Sequence, residues 1–262
     1  MALSSEPPRG TAFWAALEAV DRLAHAHTRD FLSQRAGSKA PAAWEQLGTC
    51  LALLDAAGCC RWGCAGGDHV VEYLIKRAAN AVNGAARLMQ GASYDEALSL
   101  LRTAGEVTNL LTLFAQDADA LDRWRRAGEK DRYLTLRPGA VLKQLAASGA
   151  STVFDFDAYD QLSRIAHGNS TDAPQGHSGS SGSRPSRLLV QEAGVFLVLN
   201  EASAVVTYAL LAAASLLELS SSKRLELLQE GRDLVGFIGG VRLGNRDAMW
   251  AAFEAGLNAT GK

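Results

Sequence analysis

Apolar residues, led by alanine and leucine, recur three and four positions apart along nearly the whole chain, while alternating β-branched runs are scarce. That spacing belongs to amphipathic helices rather than strands and predicts an all-α bundle. The first helix is expected over Thr11 to Gln34, stopping at Gly37, since glycine suits the left-handed turn beyond a helix. Pro41 fits the first turn of a second helix ending near Gly58. A third follows Gly66-Gly67-Asp68 and runs towards Gly91. Ser93-Tyr94-Asp95-Glu96 has the spacing of a capping box and predicts a fourth helix to about Gln116. A short helix over Ala118 to Ala127 comes next, then one from Pro138 to near Gly149. Asp155 or Asp157 can cap a helix that reaches His167.

The longest apolar pattern covers about Arg187 to Leu219 and is expected to be the central helix of the bundle. Glu192, Asn200 and Glu201 interrupt it, and its charge-free piece, Ala202 to Leu217, has 16 residues. A bilayer span needs roughly 20, so a buried core helix is expected and no membrane partner. Before it, Gly168 to Ser186 holds six Ser, four Gly and two Pro among 19 residues, the composition of a flexible loop. No shift of composition across that loop marks a boundary, so residues 1–262 read as one helical domain. Serines 220 to 222 open a further helix and Asn245 caps the last.

Composition narrows the function classes. Among 262 residues, 26 basic against 28 acidic side chains give a net charge of -2, which excludes a polycation holding nucleic acid by bulk charge. With 48% hydrophobic residues the chain is no disordered polyelectrolyte. Its opening, Met1 to Gly10, lacks a basic patch followed by an apolar core, so no secretory leader is expected there and a cytoplasmic location is. All four cysteines lie between Cys50 and Cys64, unlike a disulfide framework. Cys60 and Cys64 have a zinc-ligand spacing that Cys50 and His69 could complete, but no second close pair exists. Small buried hydrophobes beside a glycine-rich turn are expected instead, with no metal and no cofactor.

Two helices carry polar stripes. In the fourth, Ala97, Leu100, Ala104, Val107, Leu111 and Phe114 form one apolar arc. Arg102, Glu106 and Asn109 align opposite, bracketed by Leu98 and Leu113, so that this face too can pack against something. The alternative is an exposed Arg-Glu pair at i, i+4, worth only tenths of a kcal/mol. In the helix after Asp157, Tyr159, Leu162, Ile165 and Ala166 share one arc, and Asp160, Ser163, Arg164 and His167 the other. His167 could act as a general acid or base, and Arg164 could bind phosphate; equally, this is a solvated face ending in a capping histidine.

Tyr159-x3-Ser163-Arg164-Ile165-Ala166-His167-Gly168-Asn169, paired with the upstream Arg102-x3-Glu106, resembles the signature of a group of uncharacterised bacterial helical proteins. The arrangement is similar to the HEPN superfamily, helical bundles that often act as metal-independent ribonucleases in toxin and antiphage systems. The resemblance covers roughly Tyr94 to Asn169. It implies that His167 and Arg164, with Arg102 and Glu106, form a site for RNA or a nucleotide, and that the chain pairs as a homodimer. Two residues separate Arg164 from His167 here, where that superfamily places four to six.

The segment Arg123 to Arg137 carries six basic and two acidic residues interleaved with Trp124 and Tyr133. Arg123, Trp124, Arg125 and Arg126, with Asn109, are therefore the candidate substrate-binding residues, since arginine and an aromatic face suit a nucleic-acid strand. As a charge run between helices, the segment is expected to be solvated loop. No phosphate-binding loop, His-Glu-x-x-His pair or Gly-x-Ser-x-Gly elbow is present. Two functions follow: a HEPN-like ribonuclease or nucleotide-handling enzyme, or a non-catalytic helical interaction protein whose polar cluster is structural.

Overall fold

The computed structural model describes residues 10–34, 39–59, 61–62, 68–166, 190–237 and 246–260. Among them are eleven helices and no strand, so the chain is all-α. The expected terminators at Gly37 and Gly66-Gly67, the loop from Gly168 to Ser186 and the Asn245 cap lie outside the described residues.

The centre is α9, Glu192–Leu216. It begins five residues later than the apolar pattern suggests and is wrapped by α2 (Ala40–Ala57), α3 (Val70–Gln90), α4 (Tyr94–Gln116) and α10 (Ser221–Phe237). It is the one described helix long and apolar enough to cross a membrane, but 78% of that span is enclosed by its neighbours. An apolar helix enclosed on all sides is what its lack of a polar face requires. Small residues set its closest approaches. A β-carbon on Gly194 would stand 2.7 Å from the Tyr94 ring, and one on Gly231 of α10 would stand 2.5 Å from Phe253. Phe253 belongs to α11 (Arg246–Thr260), which covers α10. The Tyr94 hydroxyl accepts from the Gln191 N–H at 3.1 Å, tying the start of α9 to the start of α4.

The first helix, α1 (Thr11–Gln34), lies against α2 and α3 through its second half. There Thr28 donates to the Gln90 carbonyl and Phe31 meets Phe196 edge-on. A second polar tie joins α2 to α10: Gln46 Nε2 donates to the Glu230 side chain and carbonyl at 2.7 and 3.0 Å. Cys50 Sγ contacts the same carbonyl at 3.4 Å. The chain then forms α5 (Ala118–Arg126), α6 (Glu129–Leu136), α7 (Pro138–Ala147) and α8 (Phe156–Ala166). Of these, α5, α7 and α8 pack on α4, and α6 packs on α7.

Two expectations from the sequence need correction. Ser93 precedes α4, but its side chain makes no capping hydrogen bond. Its backbone instead closes α3: Ser93 N–H donates to the Leu88 carbonyl and Ala92 N–H to that of Met89. That pair of bonds is a Schellman turn with Ala92 in the left-handed position at φ 57°. The second correction concerns 129–136, which is helix α6 rather than loop. Glu129 and Asp131 stand in its first turn, where the helix dipole favours negative charge. The same left-handed position after α7 is filled by Gly149, at φ 69°.

Three outcomes follow. Ala92→Gly, which relieves the β-carbon strain, should stabilise the fold by about 0.5–1 kcal/mol in thermal or denaturant melts. Cys50 is fully buried and its thiol is pushed up to about 12, chiefly by burial and then by the Glu230 charge. Iodoacetamide at neutral pH should therefore label the exposed Cys59 and leave Cys50 untouched until the protein unfolds. Because the folded-state value is raised, the stability linked to Cys50 is present below the ordinary 9.0 and declines as pH climbs from there towards 12.

Candidate functional site

Four residues of α4 share one stripe at i, i+3, i+4 and i+7: Arg102, Gly105, Glu106 and Asn109. Asn109 and Gly105 receive the segment that leads from α7 into α8, and Arg102 and Glu106 receive the first turn of α8 itself. Asn109 is 3% exposed and its Oδ1 accepts from the Val153 N–H at 2.9 Å, satisfying a buried backbone donor between helices. Gly105 admits the buried Phe154 ring so closely that a β-carbon there would lie 2.3 Å from Cε2. Asp155 Oδ1 then accepts from the Ala158 N–H at 2.8 Å, capping the start of α8.

One turn into α8, Tyr159 completes the contact. Arg102 Nη2 donates to the Tyr159 hydroxyl at 2.9 Å, and that hydroxyl donates to Glu106 Oε1 at 3.0 Å. Arg102 Nη2 and Glu106 Oε1 are themselves 3.0 Å apart. The Arg102 guanidinium also lies over the Tyr159 ring, 5.0 Å from its centroid. With side chains 20% and 22% exposed, the two charges are mostly withdrawn from water and answer one another through a shared phenol. Arg102 Nε is sealed without a hydrogen-bond partner.

The sequence places Tyr159 on the apolar arc of α8, and its ring does pack against the core while its hydroxyl turns to α4. The readable signal was the phenol itself, which needs a polar partner when withdrawn from water. Gly105, in register with three polar residues, was the matching signal on α4.

The other candidates do not join this cluster. Arg164 pairs with Asp160 at 3.2 Å on an exposed flank of α8. His167 lies outside the described residues, as do Cys60 and Cys64. In the basic run, Arg123 pairs with Asp117 at 2.9 Å. Arg125 pairs with Asp68 at 2.6 Å and approaches Asp122 at 3.6 Å. Those guanidinium groups hold the Asp68 and Asp117 carboxyls below their ordinary range through hydrogen bonds. Arg126 is exposed. Trp124 meets Phe114 edge-on, and Arg132 lies 4.2 Å over its ring while donating to its carbonyl. No group of three or more His, Cys, Asp or Glu suited to a metal ion occurs among the described residues.

Two cavities, of about 720 and 360 Å³, lie away from the cluster. The larger runs between α2 and α3 beside Trp44, Leu51 and Asn83. The smaller is bounded by α4, α9 and α11. Comparison with known proteins adds no relative: no family model, no curated protein and no solved structure matches the chain.

The triangle of guanidinium, phenol and carboxylate can hold α8 against α4. Tyr159→Phe should cost about 1 kcal/mol, the value of the lost hydroxyl bonds. Arg102→Ala, which strands Glu106, should cost about 2 kcal/mol and lower the melting temperature by about 5 °C. Gly105→Ala, which must displace the Phe154 ring, should cost about 2 kcal/mol. Calorimetry on the three variants checks the order.

Proposed function

We propose that this chain is a non-catalytic helical interaction protein in which the Arg102–Tyr159–Glu106 triangle locks α8 onto α4. The observation that carries this reading is that the triangle is closed on itself. Arg102 Nη2 meets both the Tyr159 hydroxyl and Glu106, its Nε is sealed from solvent, and neither of the two cavities is lined by these residues. A phosphate-binding arginine needs donors directed at an open site. Three of the five arginines of 123–137 point the same way: Arg123 and Arg125 pair with the chain's own aspartates, and Arg132 covers the face of Trp124.

The surface that supports an interaction role is the start of α1. Phe13 and Trp14, in edge-to-face contact, are 45% and 62% exposed. Phe13 continues the Leu17, Val20, Ala24 and Phe31 stripe beyond the part of α1 held by the bundle. A second copy of the chain is the partner assigned to it, with a cytoplasmic location.

A second reading is a metal-independent ribonuclease of the HEPN-like kind, acting in a toxin or antiphage system. It is favoured by the placement of Arg102 and Glu106 directly beside the helix that carries Arg164 towards His167.

One experiment separates the two. Purified protein is incubated with single-stranded RNA, with and without chelator, beside His167→Ala and Tyr159→Phe. The interaction reading expects no cleavage by any of the three, and a lowered melting temperature for Tyr159→Phe alone. Chelator-resistant cleavage abolished by His167→Ala would establish the ribonuclease. Light scattering on Trp14→Glu, expected to lower the mass from dimer to monomer, tests the partner.

A further inference from the structure

The 720 Å³ cavity is an open groove along the α2–α3 hairpin. Leu47 and Ala79, both buried, form its floor, and the half-buried Trp44 and Leu51 stand on its α2 side. Charges mark its two ends: Glu45 beside Trp44, and Arg61 just past the end of α2. Both are exposed, and neither has an ion pair among the described residues. Asp55, at the Arg61 end, is tied to Lys76.

Gly48 lies midway along the α2 wall and is exposed. Inside a helix, glycine is destabilising relative to alanine unless something needs the space. Gly84, Gly105, Gly194, Gly231 and Gly256 meet that condition within the chain, since a β-carbon on any of them would stand within 3.1 Å of a neighbouring side chain. A β-carbon on Gly48 would meet nothing within 4 Å. The chain itself makes no use of the room at Gly48.

The same chain carries a helix end without a seat. Thr11 to Ala16 are all exposed. Phe13, Trp14, Leu17 and Asp21 fall within an arc of about 100° around α1. Asp21 has no ion pair among the described residues. Thr11 to Asp21 and Glu45 to Asp55 each cover about 15 Å of helix, so this end of α1 and the α2 wall of the groove match in length.

We propose, resting on the second-copy reading above, that α1 of a second copy lies in this groove with Phe13 and Trp14 over Gly48, so that two copies exchange their first helices. Running in the direction of α2, that helix brings its positive N-terminal end to Glu45 and its Asp21 to Arg61. An amphipathic helix held in a groove by aromatic anchors is a common recognition mode. Each copy gives one helix and receives one, and two identical contacts close the assembly at a dimer.

Light scattering and sedimentation of the full chain and its variants, alone and mixed, test this seat. The native chain should be a dimer. Trp14→Glu removes an anchor and Gly48→Arg fills the groove. Each should weaken association about thirtyfold or more, as loss of an interface anchor does. Gly48→Arg should keep the helical circular dichroism, because nothing of its own chain stands near the new side chain. Ala52→Arg, at an exposed position on the same wall, should act alike. Mixed one to one, Trp14→Glu and Gly48→Arg should pair more tightly than either pairs with itself, since the intact α1 of one meets the intact groove of the other. A monomeric native chain overturns the second-copy reading and this seat with it. A native dimer that survives both Gly48→Arg and Ala52→Arg overturns the groove alone. So does a mixture that pairs no better than its components, the result expected if two α1 helices simply pack on each other.

Discussion

The outer half of this bundle depends on one face of α4 being made of unlike residues. Arg102, Gly105, Glu106 and Asn109 meet Tyr159, Phe154 and the Val153 backbone in register, so a four-residue stripe fixes a seven-residue stretch of chain. No member does this alone. The amide settles a backbone donor, the missing side chain lets a ring sink in, and the charged pair grips a phenol. Apolar contact between two helices tolerates sliding, whereas these contacts each demand one geometry. The opposite side of α4 is committed to α3 and α9, which leaves the helix enclosed on nearly all sides.

Several arginines of this protein are occupied by neighbours of the same chain. Arg102, Arg123, Arg125, Arg164 and Arg232 each find an acidic neighbour of the same chain. Arg132, spread over the Trp124 ring, shows how a basic residue and an aromatic adjacent in sequence can be occupied with each other. The smaller cavity differs in kind from these surfaces, because no charged side chain lines it.

Much of the architecture was legible in the order of residues. Thr11–Gln34 is helical over the span its pattern marks, and Gly58, Gly91 and Gly149 stand at the ends of α2, α3 and α7. These features are local, set by apolar spacing and backbone freedom. What stayed hidden was non-local or competitive. Ser93 carries a capping spacing, yet its backbone is claimed by the turn ending the previous helix. The segment 129–136 looks like a solvated charge run because the stacking of Arg132 on Trp124 and the bond from Gln144 to Thr135 cannot be seen in spacing. The polar stripe on α4 was visible, but its partner was not, since Tyr159 hides a polar atom at the end of an apolar ring. The cavity, assembled from three helices and a connecting segment, leaves no mark on any one of them.

The enclosure of α9 bears on the order in which the chain can acquire its shape. The α3–α4 hairpin is closed by a three-residue turn and can assemble from neighbouring sequence. Its inner surface is completed only by a helix that begins at Glu192, so a nascent chain must carry that apolar surface uncovered until the later segment emerges. During synthesis the interval between those two events is when this protein is most open to association with other chains and most in need of a chaperone.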